Sequence, residues 1–425
     1  MVSDKDTVYN CHMRFSKLLF SLFLLIVVQL PFISKIKAFD PTQIHIGADR
    51  PEVYLPLLLN KNIAVVANPT SIVGNRSQHL VDFLIQNDVK VKVVFAPEHG
   101  FRGDAGAGEE IRDGLDASTG IKVISLYGKK TKPTADDLKN IQALVFDIQD
   151  VGVRFYTYLS TLQLVMESCA DAGVKVILLD RPNPNGHYVD GPLLKTEFKS
   201  FVGMNPIPVV HGCTPGEYAR MLIGEGWLNS KKKCDLTVIP ISNYSHSIGY
   251  NLPVRPSPNL PDQNAIYLYP SLCFFEGTVV SLGRGTDFPF ETYGYPDYKS
   301  EFDFRPVAKK GIASHPPYQD TVCFGVDLRK YYATVDSASH FFLIHNTEQL
   351  PKQIELKWLI DAYLKCPDKE KFFNSFFEKL AGSKLLQLQL KSGLSETAIR
   401  LSWKKDLRQY LKVRSKYLLY PDFKH

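Results

Sequence analysis

The 425-residue chain lacks most of the features that mark a ligand class. It has seven cysteines, and no two stand as C-x-x-C, so zinc-knuckle spacing is absent. Six of them are scattered beyond the first 38 residues, which predicts buried free thiols rather than a readable disulfide framework. Net charge is +6, about half of it in the first 38 residues, and no Lys/Arg run exceeds Lys231, Lys232 and Lys233. That is too little for a nucleic-acid surface. Gly106-Ala107-Gly108 is followed by Ile111 where G-x-G-x-x-G needs its third glycine. Gly103 and Gly108 have P-loop spacing, but Glu109 replaces the lysine and would repel phosphate, so no nucleotide partner is predicted. There is no G-x-S-x-G and no H-E-x-x-H. Ser230 and Lys233 have S-x-x-K spacing only within a polar loop. No cofactor and no metal are predicted; a metal-dependent amidase or deacetylase would have to use His99 and His187, without any supporting pattern.

What is present begins with a leader. Arg14 and Lys17 precede an apolar run over residues 18–30, Pro31 ends it, and Ala38 offers a small residue for cleavage. Residues 1–38 are read as a signal peptide, which places the product in the periplasm or outside the cell. The run is short for a membrane span, and no later segment is long and apolar enough to cross a bilayer. Stable membrane insertion after signal removal is therefore not expected.

From residue 62 apolar runs at 63–67, 91–96, 123–126, 143–146 and 176–179 read as buried parallel strands. Helical patterns at 78–86, 135–140 and 161–172 separate several of them, and a further strand lies at 236–239. Thr214, Pro215 and Glu217 have the form of a capping box opening another helix. This alternation predicts an α/β fold, a Rossmann-like doubly wound parallel sheet over residues 39–255. Prolines crowd residues 251–270, which suggests an extended crossing. A smaller α+β C-terminal domain over 256–425 would close the cleft, with helical patterns from about 350 to 419.

Open parallel sheets bind ligands beyond the carboxyl ends of their strands. Asn68 follows the first strand, and Glu98, His99 and Arg102 follow the second. Asp147, Asp150, Arg154, Tyr156 and Tyr158 follow the fourth, and Asp180, Asn183 and Asn185 the fifth. Carboxylates, amides, a guanidinium and rings on one rim suit a sugar. Glu276, inside an apolar run, is paired or functional. Bland roles compete: Asp180-Arg181 as a local ion pair, Asp147 as a loop cap, Tyr156 and Tyr158 as core. The glycine-rich loop at 97–120 reads as a lid or cleft wall.

The segments at 97–103, 149–158, 180–184, 255–261 and 269–278, with Ser402-Trp403 and residues 417–420, resemble those of exo-β-N-acetylmuramidases, a family once grouped as a domain of unknown function. The resemblance implies hydrolysis of the β-1,4 bond after a non-reducing-end N-acetylmuramic acid. Its partners would be peptidoglycan-derived disaccharides and glycan chains. It also implies a cleft between the two domains, with Glu98 as the leading catalytic residue. A second carboxylate would come first from Asp150, with Asp147 and Glu276 behind it; the substrate's acetamido group could replace it. The lactyl carboxylate of N-acetylmuramic acid calls for an arginine. Arg154 is the first choice, and Arg102 and Arg284 are alternatives. A non-catalytic muropeptide-binding protein on the same fold is the competing reading.

Overall fold

Strand β1 (Asn62–Ala67) is almost wholly buried, as its unbroken apolar run requires. Beside it lie β2 (Lys90–Ala96), the short β3 (Gly114–Leu115), β4 (Lys122–Ser125), β5 (Ala143–Asp147), β6 (Lys175–Leu179) and β7 (Leu236–Ile239). In this computed structural model, which describes residues 43–74, 78–103, 113–332, 343–344 and 350–423, they form one sheet ordered β3-β4-β2-β1-β5-β6-β7. All neighbours are parallel except the β3 edge, which runs antiparallel to β4. The leader lies outside the described residues, as do residues 104–112 of the proposed lid.

Alternate residues of each strand enter different cores. Ala64, Val66, Phe95, Leu144, Phe146 and Leu178 join helices α3 (Tyr158–Ala172) and α4 (Pro215–Gly224) on one face. Ile63, Val65, Val94, Val145 and Ile177 pack on α1 (Pro51–Leu58) and α2 (Leu80–Gln86) on the other. A period of two inside fully apolar strands is what a sheet covered on both faces needs. The doubly wound expectation therefore holds. Thr214 and Glu217 make their reciprocal capping box at the start of α4.

Two local expectations fail. Residues 135–140 form turns rather than a helix. Thr134 and Asp137 cap one turn, and Asn140 at φ 62° reverses the chain before a second can form. Residues 251–270 are not extended throughout, because Asp262 caps α5 (Gln263–Leu272), which carries Pro270 near its end. The C-terminal region then adds an antiparallel sheet of β8 (Thr292–Tyr295), β9 (Phe302–Phe304) and β10 (Cys323–Asp327), with β10 central. Helices α6 (Lys357–Lys365), α7 (Phe377–Ala381), α8 (Leu385–Lys391) and α9 (Glu396–Arg414) complete it. Their Trp358, Phe377, Ile399 and Trp403 belong to the same apolar cluster as the α3 face of the main sheet. Cys169, Cys213, Cys234, Cys273, Cys323 and Cys366 are buried and unpaired. Among the described residues no helix is long and apolar enough to cross a membrane.

Candidate active site

A cavity of about 490 Å³ opens beyond the carboxyl ends of β2 and β4. Glu98 and His99 reach it from the end of β2 and Tyr127 from the end of β4; residues 155–158 lead into α3. Tyr269, Glu276, Arg284, Phe290 and Phe376, with residues 312–316, supply its C-terminal wall. Of the residues named from sequence, the fold therefore gathers Glu98, His99, Tyr156, Tyr158, Glu276 and Arg284 around one space.

Glu98 stands in a tight turn. The Gly100 N–H donates to Pro97 O at 3.1 Å, and His99 takes a left-handed φ of 72°. A non-glycine residue there is uncommon and costs backbone energy that surrounding structure must hold in place. The Tyr158 hydroxyl donates to Glu98 O at 3.3 Å and accepts from Asn68 Nδ2 at 2.9 Å. Asn68 thus serves the site from behind. Thr157 Oγ1 donates to Glu98 Oε2 at 3.1 Å, and the Tyr127 hydroxyl also meets the Glu98 side chain. Burial and the Glu98 charge push the Tyr127 phenol up, Arg284 opposes this, and Glu276 adds to it. Tyr127 therefore lies within electrostatic reach of all three charged groups of the cavity.

Glu276 follows α5 in a 3-10 turn and accepts from Arg284 Nε at 3.0 Å and from Arg284 Nη2, both at Oε1. The guanidinium also lies 5.0 Å from the centre of the Phe290 ring. Among the described residues Arg284 Nη1 makes no hydrogen bond, and the side chain is about a quarter exposed. Tyr156 donates to Pro256 O at 2.7 Å, fixing its ring beside Tyr158 and Tyr269.

The remaining candidates are placed elsewhere. Asp150, the first choice for a second carboxylate, is 4% exposed and absent from the cavity lining. Its one bonded oxygen accepts from Gly152 N at 2.6 Å, the other has no hydrogen-bond partner among the described residues, and burial pushes the carboxyl up to about 7. Asp147 is sealed in a bidentate ion pair with Arg181, whose Nε and Nη2 donate to its two oxygens at 2.6 and 2.8 Å. This replaces the Asp180-Arg181 pair suggested by adjacency. Asp180 instead accepts from Arg181 N, Thr214 Oγ1, Gly216 N and Tyr420 OH. A Cβ at residue 216 would stand 2.7 Å from that carboxylate, so glycine lets α4 approach it.

Arg154 does not face the cavity. It is 2% exposed and donates to Pro192 O, Ile207 O and Leu380 O at 2.7–2.8 Å, with no carboxylate partner among the described residues, and burial lowers its pKa to about 9. It works as a strut between the 149–158 segment and α7. Arg102 spends its donors on Asp82 and Asp116, and the latter is pulled down to about 2. Asn183 and Asn185 are buried loop ties: Asn183 Nδ2 donates to Cys213 O, and Asn185 Nδ2 to Val151 O and Ile266 O. Gly152 fits against Asn183, which a Cβ would strike at 1.9 Å. His187 binds Pro351 O and lines no part of the cavity.

Tyr127, Thr157 and Tyr269 were not singled out from sequence. Tyr127 stands just beyond a predicted strand, where the strand-end rule applied to the third strand would have found it. Thr157 was within a quoted segment but carries no charge or ring. Tyr269 comes from a helix that proline density concealed.

The chain is similar along most of its length to known proteins. The family model described as exo-β-N-acetylmuramidase NamZ, N-terminal, matches residues 63–264, and its C-terminal counterpart matches residues 267–420. The peptidoglycan β-N-acetylmuramidase NamZ of Bacillus subtilis (strain 168) is 39% identical over 385 residues, 86% of this chain and 89% of that protein. A DUF1343-family protein of Bacteroides fragilis superposes with TM-score 0.78 at 44% identity, covering 89% of this chain and 99% of its own. A second one gives TM-score 0.73 at 26% identity, covering 90% and 100%. The chain belongs to the exo-β-N-acetylmuramidase NamZ family.

Proposed function

We propose that the chain is an exo-acting glycosidase that releases N-acetylmuramic acid from the non-reducing end of peptidoglycan fragments. The observation that carries this reading is the meeting of Glu98, Glu276 and Arg284 with aromatic rings around one cavity, in a chain of this family. Glu98 donates its proton to the glycosidic oxygen as the sugar–oxygen bond breaks. Glu276 serves as the second carboxylate, because it alone among Asp147, Asp150 and Glu276 lines the cavity. Arg284 reads the lactyl carboxylate through Nη1, since Arg154 lies outside the cavity lining and Arg102 spends its donors on Asp82 and Asp116. Tyr156, Tyr269 and Phe290 supply faces for the sugar ring.

The test uses a chromogenic β-N-acetylmuramide and the matching β-N-acetylglucosaminide. Wild type should release chromophore from the muramide only, and on the muramoyl-glucosamine disaccharide, whose leaving group needs the acid, Glu98→Gln should lose roughly 10²–10⁴ in kcat. Arg284→Met should bring the two sugars closer by raising KM for the muramide. Folded wild type that turns over neither sugar, or the glucosaminide equally well, would overturn the reading.

We further propose that the chain is exported with cleavage after Ala38, supported by the basic and then apolar leader. N-terminal sequencing of protein from the periplasm or medium should begin at Phe39; a product starting at residue 1 in the cytosol would refute export.

A further inference from the structure

Thr157 is the N-cap residue of α3, yet its side chain caps nothing. A threonine at that place ordinarily sits extended and accepts from an N–H of the first turn, contributing about 1 kcal/mol to the helix. Here the backbone is already helical, at φ −72° and ψ −8°, and the hydroxyl gives its proton to Glu98 Oε2 instead. The next residue, Tyr158, donates to the Glu98 backbone carbonyl. The first turn of α3 therefore grips Glu98 at both its main chain and its carboxyl. Twelve of the fifteen residues of α3 are buried, which makes the grip stiff.

We propose that Thr157 is a positioning residue for proton transfer, an inference that rests on the reading of Glu98 as the acid. As the proton leaves the Glu98 carboxyl for the glycosidic oxygen and the C–O bond breaks, negative charge grows on the carboxylate. The hydrogen bond from Thr157 to Oε2 then strengthens, because bonds to charged acceptors are stronger than bonds to neutral ones. An interaction that grows toward the transition state acts on kcat rather than on KM. The helix gives up its side-chain cap for this bond.

The experiment compares wild type, Thr157→Val, Thr157→Ala and Thr157→Ser on two substrates. One is the muramoyl-glucosamine disaccharide, with a poor leaving group; the other is a nitrophenyl β-N-acetylmuramide, whose leaving group needs little acid help. Thr157→Val should lower kcat on the disaccharide roughly 10- to 100-fold with KM within about twofold. The loss on the nitrophenyl glycoside should be much smaller, Thr157→Ser should recover most of it, and melting should be unchanged. Thr157→Ala serves if the valine does not fold. Equal losses on both substrates, no rescue by serine, or no loss of kcat would overturn the proposal. Glu98→Gln in the same assay separates the two readings. If it keeps disaccharide turnover, the acid assignment falls; if it loses turnover while Thr157→Val does not, only the positioning role falls.

Discussion

At the ends of β5 and β6, Asp147 and Asp180 have their oxygens engaged by Arg181, Thr214, Gly216 and Tyr420. At the ends of β2 and β4, Glu98 and Tyr127 stand over open space, and Glu276 and Arg284 face them from the C-terminal wall. Both rims sit on the ligand side of one sheet, where an open α/β fold can place a site. The sheet order reverses between β1 and β5, yet residues 68–71 and 147–150 line no part of the cavity. Their loops fill that crevice with their own bonds, including Gln149 N to Thr70 Oγ1 and the Ser71 hydroxyl to Asp147 O. A strand end offers a polar residue a position; whether it becomes a site depends on whether the protein satisfies that residue internally.

The comparison breaks if substitutions at the two rims behave alike. The largest effect should come from Glu98→Gln, which should lose roughly 10²–10⁴ in kcat on the disaccharide, by steady-state assay, while melting stays near wild type. Asp147→Asn should do the reverse. It leaves the Arg181 guanidinium buried without its partner, and the expected cost is about 3–5 kcal/mol in urea unfolding, with kcat per folded molecule retained.

Asp150 gives an intermediate effect that is visible only as a pH slope. Its carboxyl rises from an ordinary 3.8 to about 7 in the folded chain through burial. Between those values the folded chain keeps a proton that the unfolded chain has released. The stability this contributes is full below about pH 4 and lost as pH rises through 7. The unfolding free energy of wild type, from urea titrations, should fall over that window relative to Asp150→Asn, by ~2–4 kcal/mol at most. Parallel profiles would show that Asp150 is ionised in the fold. Tyr420→Phe should cost least, about 1–3 kcal/mol, because it removes one donor from the buried Asp180. A loss of turnover in that variant, measured at equal folded fraction, would mean that the closed rim communicates with the open one.

The buried strands were readable because their apolar runs are unbroken, and the start of α4 because Thr214, Pro215 and Glu217 carry a local hydrogen-bond pattern. The turns at 135–140 and the helix at 263–272 were not readable. In each case one or two residues, Asn140 and Asp262, decide where the chain reverses or starts a helix. Among the site residues, Glu98 and Tyr158 were legible from their place after a strand. Arg154 was misjudged because nothing in its own segment shows that three carbonyls, one of them 226 residues away, converge on it.

Local patterns set by side-chain period and chain-local hydrogen bonding therefore determined the strand sequence, the α/β class and the set of chemically able residues. Tertiary structure alone chose among those residues. It drew Asp147, Asp150, Asp180, Arg102 and Arg154 into the fold and left Glu98, Glu276 and Arg284 beside open space. The reason is that a polar group's fate depends on which distant donors, acceptors and walls the packing brings to it, and these are contributed by residues far away in the chain.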